Sequence, residues 1–327
     1  MRRLARIYYT IRPFLPRPVA IEIRSLIVRS KVRICGNVWP IDDRASKPPA
    51  SWSGWPEGKR FALVLTHDVD TSRGHDNCIR LAEMEKQAGF TSSFNFVCRR
   101  YPVSPQVLEY LKCHGFEIGV HGVYHDGKKF DSREGFRQRA VIINEFLALW
   151  DSVGFRSPAM QRNLDWMHDL NIEYDSSTFD TDPFEPQPEG TCTIFPFMVT
   201  SADGSSSYVE LPYTLPQDFT LFVMMKHQDN RIWKEKLDWI VRMGGMALIN
   251  THPDYMSFER GRLGREEYPS SLYKEFLEYI CEKYEGQYWH CLPRDLAKFT
   301  RGSLFGTNKS ISQLEKDTFR MKNSEHG

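Results

Sequence analysis

Two short stretches of the chain bring together residue types that bind divalent metals. Thr66-His67-Asp68-Val69-Asp70 follows the apolar run Phe61-Ala62-Leu63-Val64-Leu65, and His121-Gly122-Val123-Tyr124-His125 follows Phe116 to Val120. Histidines four apart share one face if a helical turn starts there, so both imidazoles can reach one ion while a carboxylate arrives from the other stretch. Two histidines and one carboxylate leave coordination positions open for water and substrate. An ion held in this way polarises a carbonyl and acidifies water, which is the chemistry needed to hydrolyse an amide.

The elements that must position these residues alternate between short apolar runs and longer helical patterns. Strands are expected at Phe61–Leu65, Ser93–Val97, Phe116–Val120, Phe155, Ile172–Tyr174, Tyr208–Leu211, Met246–Asn250 and Tyr288–Leu292. Between them, helices are expected at Cys78–Gln87, Pro105–Cys113, Arg133–Trp150, Leu164–Leu170, Ile232–Met243 and Ser270–Glu285. Repeated β-α units imply a parallel sheet or barrel whose reactive groups gather at the C-terminal ends of the strands.

The residues before Phe61 differ in character. Arg and Lys recur from Arg2 to Arg33, and Lys47 to Gly58 is rich in Pro, Ser and Trp, a linker-like composition that sets a boundary at 58. Ile21, Ile23, Leu26, Ile27 and Val28 lie beside Arg24, Arg29 and Lys31, so this segment either packs on the domain as an extra helix or touches an anionic membrane surface peripherally.

The chain as a whole holds 43 basic and 42 acidic residues and 41% hydrophobic residues, a soluble globular composition with no electrostatic reason to seek nucleic acid. Seven cysteines without a C-x-x-C pair read as reduced thiols. Arg12, Pro13, Pro16, Arg17 and Pro18 interrupt any signal-peptide core, and no run approaches the ~20 apolar residues of a membrane span. A cytoplasmic location is therefore expected.

From Phe61 to Leu292 the motifs resemble those of the polysaccharide deacetylases, carbohydrate esterase family 4. The resemblance implies an α/β fold, a distorted (β/α) barrel of the polysaccharide deacetylase type with a basic N-terminal extension. It divides the chain into an extension and linker at 1–58, a metal-dependent deacetylase domain at 59–300 and a flexible tail at 301–327. By the same resemblance Asp68 is the catalytic base, and Asp70, His121 and His125 are ligands of a divalent metal, zinc suiting the set best. Val69 separates two aspartates that the family more often has adjacent, and Gly122 replaces a hydroxyl residue in its His-[Ser/Thr]-x-x-His motif. Arg156-Ser157-Pro158 resembles the motif whose Arg orients the base and favours its charged form. Ala247 to Pro253 resembles the motif that supplies a general acid, here His252. The Asp that tunes this His falls among Asp175, Asp180 and Asp182, with Asp182 narrowly preferred. Tyr124, through its backbone N–H, and Pro158 are the expected substrate-binding positions. Glu210-Leu211-Pro212-Tyr213 resembles a strand ending seen in some branches.

His67 stands where the family often has Phe; it either reaches the metal or substrate or is a packed neighbour. His75 and Asp76 read as a helix N-terminal pair. The activity implied is removal of acetate from an N-acetylated sugar, an intermediate of surface-polysaccharide assembly. The alternatives are an amidohydrolase acting on a small cyclic or formyl amide, and a non-catalytic carbohydrate-binding or interaction protein.

Overall fold

Phe61–Val69 (β1) is buried along its whole length and organises the sheet because its two edges serve three partners. One edge pairs in parallel with Met246–Thr251 (β8) over Ala62 to His67. The other is shared, first with Tyr288–His290 (β9) at Phe61 to Leu63 and then with Ser93–Phe96 (β2) at Thr66 to Val69. The order continues in parallel through Glu117–Val120 (β3), Gly154–Phe155 (β4), Tyr174–Asp175 (β5) and Ser207–Glu210 (β7), which forms an antiparallel hairpin with Phe197–Thr200 (β6). Beyond β7 the chain bridges Tyr213 to Phe179 and Leu215 to Ile249, so the sheet curls back onto β8. The structure, a computed structural model, describes residues 17–50, 52–126, 130–259 and 261–303, and it is the distorted (β/α) barrel the motifs imply.

Helices Ser72–Gln87 (α2), Pro105–Cys113 (α3), Arg133–Trp150 (α4), Arg231–Met243 (α5) and Ser271–Tyr284 (α6) clothe the barrel. Each turns its apolar residues inward; in α4 these are Phe136, Ala140, Ile143, Leu147 and Trp150, at helical spacing. Two expectations need correction. The first helix starts at Ser72 rather than Cys78, because Thr71 already has the extended backbone of an N-cap. Asp76 therefore lies inside α2 and caps nothing. The stretch 164–170 forms only a 3₁₀ turn at Trp166–Asp169.

The segment before β1 is tied to the barrel. Arg17–Cys35 (α1) lays one face on a π-helix at Phe219–Met224, with Val28 and Ser25 buried and Ser25 Oγ donating to the Met224 carbonyl at 2.5 Å. Trp39, Ala45 and Trp55 belong to the common core, and Trp55 Nε1 donates to Gly244 O at 2.8 Å. The linker-like composition of 47–58 thus conceals a packed strap, since its tryptophans fill space that polar linker residues would leave empty. Residues 1–16 and 304–327, which hold the start of the expected extension and most of the expected tail, lie outside the described residues. Among the described residues no helix is long and apolar enough to cross a membrane.

Candidate active site

Side chains alternate along β1, and the alternation sorts its polar residues. Thr66 and Asp68 face the barrel interior and meet Arg156. His67 faces the helices. It is fully buried, with Nδ1 2.7 Å from Thr251 Oγ1 and Nε2 2.9 Å from Glu85 Oε1, so it is a packed neighbour that never enters the site.

Asp70, one residue past β1, meets both histidines. Its Oδ1 lies 3.4 Å from His121 Nε2 and 3.0 Å from His125 Nε2. The 121–125 stretch is not helical. Left-handed backbone at Gly122 (φ 73°) and His125 (φ 54°) folds the loop so that the rings come within 5.3 Å. A side chain at position 122 would be strained, and its Cβ would lie 2.9 Å from the Pro158 ring, which explains glycine there. Pro158 is buried against this loop at Gly122, whereas Tyr124 is exposed with Arg139 5.6 Å above its ring.

The donor set fits a cation on its own chemistry. His121 Nδ1 donates to the Arg156 carbonyl at 2.9 Å, which leaves the lone pair of the neutral ring on Nε2, toward Asp70. Asp70 Oδ1 is buried and receives no well-formed hydrogen bond. Lone pairs of nitrogen and oxygen converging within 4.8 Å repel each other unless positive charge sits among them. The Asp70 backbone N–H donates to Asp254 Oδ2 at 2.9 Å, and Asp254 also accepts from Thr71, fixing the carboxylate's approach. Gly74 of α2 permits this, since a Cβ there would lie 2.1 Å from Asp254.

Asp68 is saturated. Asn95 Nδ2 donates to Oδ1 at 2.9 Å, Asn250 Nδ2 donates to Oδ2 at 2.8 Å, and Arg156 Nη1 lies 3.2 Å from Oδ1. Burial alone would raise its pKa, but His121, Arg156 and His252 outweigh it and hold the carboxyl at about 2. Arg156 is itself 1% exposed, and its guanidinium also donates to Thr66 Oγ1, Asn250 Oδ1, Ser176 O and Ser176 Oγ, each at 2.8 Å. One residue therefore fixes the would-be base through its side chain and a would-be ligand through its carbonyl.

His252, just past β8, is held by Asp218. Its Nδ1 lies 2.7 Å from Asp218 Oδ1 and its backbone N–H donates to Oδ2 at 2.8 Å. Burial would lower the imidazole's pKa, yet Asp218, then Asp70 and Asp68, raise it to about 10. The preference for Asp182 as partner of His252 is therefore corrected. Asp182 accepts from Phe184 N–H and Tyr213 O–H, Asp180 pairs with Lys236 at 2.6 Å, and Asp175 accepts from Ser177 Oγ. Those three aspartates lie on or just after β5, whereas the partner of His252 must come from beside β8, where the 213–218 segment runs. Asp218 stands at the N-cap of the π-helix, and an Asp opening the apolar run Phe219-Thr220-Leu221-Phe222-Val223-Met224 was a usable signal. Asn95 and Asn250 were also missed, although an amide within Phe94-Asn95-Phe96 and Leu248-Ile249-Asn250 marks a strand position that faces polar company.

No protein-family model matches the chain, and no curated protein matches it. Solved structures do resemble it. A protein of Mycobacterium smegmatis described as a polysaccharide deacetylase shares 20% identity over 78% of this chain and 95% of that one, with a TM-score of 0.59. An allantoinase shares 17% identity over 81% of this chain and 98% of that one, also at 0.59. A Pseudomonas aeruginosa protein described as a polysaccharide deacetylase shares 17% identity over 80% of this chain and 98% of that one, at 0.58. At such identities the likeness fixes the fold, the barrel of the polysaccharide deacetylases, while relatives on that barrel differ in reaction.

Proposed function

We propose that the chain is a metal-dependent N-deacetylase of the polysaccharide deacetylase family, acting on the acetamide of an N-acetylated sugar in surface-polysaccharide assembly. The observation that carries this reading is the gathering of two oppositely charged, held groups near one donor set: an anionic Asp68 fixed by Asn95, Asn250 and Arg156 within electrostatic reach of His121, and a cationic His252 fixed by Asp218 within electrostatic reach of Asp70.

Asp70, His121 and His125 would hold the ion, with zinc the best match to two imidazoles and a carboxylate. When bound, it polarises the amide carbonyl and acidifies the attacking water. Asp68 takes the proton of that water, and Arg156, Asn95 and Asn250 keep its carboxylate aimed as it does so. The backbone N–H of Tyr124 stands ready to stabilise the oxygen that gathers charge as the carbonyl is attacked. His252 carries its proton on Nε2, since Asp218 accepts the one on Nδ1, and delivers it to the departing amine. Acid and base are thus separated by environment, one held cationic by a carboxylate and one held anionic by a guanidinium.

The equal structural likeness to an allantoinase supports a second reading, a hydrolase of small cyclic amides using the same residues. Acetate release from N-acetylhexosamine oligomers, nucleotide-linked and lipid-linked N-acetylhexosamines, measured beside allantoin hydrolysis, separates the two. Acetate release abolished by Asp68→Asn supports deacetylation; turnover of allantoin alone transfers the site to the second reading.

A further inference from the structure

Charge is divided unevenly along the chain. Of its 43 basic and 42 acidic residues, nine and one respectively fall within residues 1–35, so this segment carries +8 and the remainder −7. Half of that excess, +4, belongs to α1, where Arg17, Arg24, Arg29, Lys31 and Arg33 are offset by Glu22. The helix spends one face on the barrel: Ser25 and Val28 are buried, Lys31 Nζ donates to Pro183 O at 3.3 Å, and the Arg24 guanidinium lies 5.3 Å over the Phe219 ring. The opposite face stays open at helical spacing. Val19, Leu26 and Ile34 are 46%, 59% and 63% exposed, and Glu22, Arg29, Ser30 and Arg33 are exposed beside them. Large aliphatic side chains bordered by arginines on a helix that cannot span a bilayer match an interfacial anchor. A helix of +4 on a chain whose residues 36–327 carry −7 is better matched to a uniformly anionic surface than to a protein partner of mixed charge.

We propose that the outer face of α1 docks on an anionic lipid bilayer. Val19, Leu26 and Ile34 enter the headgroup boundary while Arg29 and Arg33 meet lipid phosphates. The docked face belongs to the same wall as the active site. Beneath α1, the Phe219 ring lies 4.9 Å from that of Tyr255, and the Tyr255 ring lies 5.3 Å from that of His252, both pairs tilted. Docking therefore sets the site mouth near the membrane surface, where a substrate on a lipid carrier would lie. That last step rests on the deacetylase reading; the docking itself does not.

The test is sedimentation of the full chain with phosphatidylcholine vesicles, with and without phosphatidylglycerol, at low and high salt. Binding is expected only with phosphatidylglycerol. The pair Arg29→Glu, Arg33→Glu is expected to weaken it by about tenfold or more, and Arg29→Lys, Arg33→Lys to retain it. Leu26→Ser, Ile34→Ser is expected to remove the binding that survives high salt. No binding, equal binding to both vesicles, binding indifferent to charge reversal, or equal retention on duplex DNA overturns the proposal. None of these readouts uses turnover, so a chain that docks yet releases no acetate refutes the deacetylase reading and leaves docking standing.

Discussion

Asp218 Oδ1 lies 2.7 Å from His252 Nδ1, and both are buried at the mouth of the barrel. The same carboxylate accepts from the His252 backbone N–H, from Phe219 N–H and from Tyr268 O–H, so it cannot turn away from the ring. The pair has a sign. A carboxylate beside an imidazole favours the charged ring, and here it prevails over burial to raise the pKa to about 10.

For Asp218→Asn we expect a turnover loss of roughly a hundredfold or more, because the ring loses both its orientation and its charge. The alkaline limb of the pH–rate profile moves to lower pH, since the acid form of His252 now disappears sooner. Asp182→Asn is expected to leave that limb in place. Steady-state profiles of the two variants check this.

Arg156 ties β1, β8 and the loop after β5 together, so Arg156→Lys is not conservative. An ammonium cannot reach Asp68, Thr66, Asn250 and Ser176 together. Leaving the buried Asp68 carboxylate short of its partner is expected to cost about 3–5 kcal/mol, read from urea unfolding. The variant also bound metal less well would follow from a displaced Arg156 carbonyl, which orients His121.

Glu117 gives the fold a pH dependence away from the site. It is the buried first residue of β3, accepting from Tyr174 O–H at 2.8 Å and the Arg294 backbone N–H at 3.1 Å, and burial pushes its pKa up to about 7. A carboxyl that binds its proton more tightly when folded contributes stability that is full below its unfolded pKa, declines as pH rises through the interval up to about 7, and is absent above it. Glu117→Gln should flatten that decline, by on the order of 2 kcal/mol between pH 5 and 8. Unfolding free energies across this range test it; an unchanged slope in the variant contradicts the assignment.

Metal addition is expected to stabilise the wild type. A ligand that binds only the folded chain adds about 2.7 kcal/mol at a hundredfold excess over its Kd. His121→Ala and His125→Ala are expected to lose this increment in thermal melts with zinc.

The strands that end at chemistry were the easiest to read, because β1 and β8 each open with an unbroken apolar run and turn polar before they end. Arg133–Trp150 was legible to its end residues, since Ser132 caps it and apolar residues recur down one face. Asp218 was hidden by distance. Nothing in local spacing says that the residue 34 positions before His252 will stand against it, and only the bridge from Leu215 to Ile249 makes them neighbours. The helical spacing of His121 and His125 suggested a face that does not exist. Two left-handed residues achieve the same convergence by a tighter path. The strap at 47–58 misled through its prolines and serines, while Trp52 and Trp55 carried the physical information.

The central claim is that Asp70, His121 and His125 hold a metal on which amide hydrolysis depends. The direct measurement is metal content and acetate release on the same preparations of wild type and His125→Ala, purified identically and supplied with zinc. One bound metal per wild-type chain, with metal and acetate release lost together in the variant while it remains folded, is the predicted result. A variant that keeps its metal, or that releases acetate without it, would contradict the account.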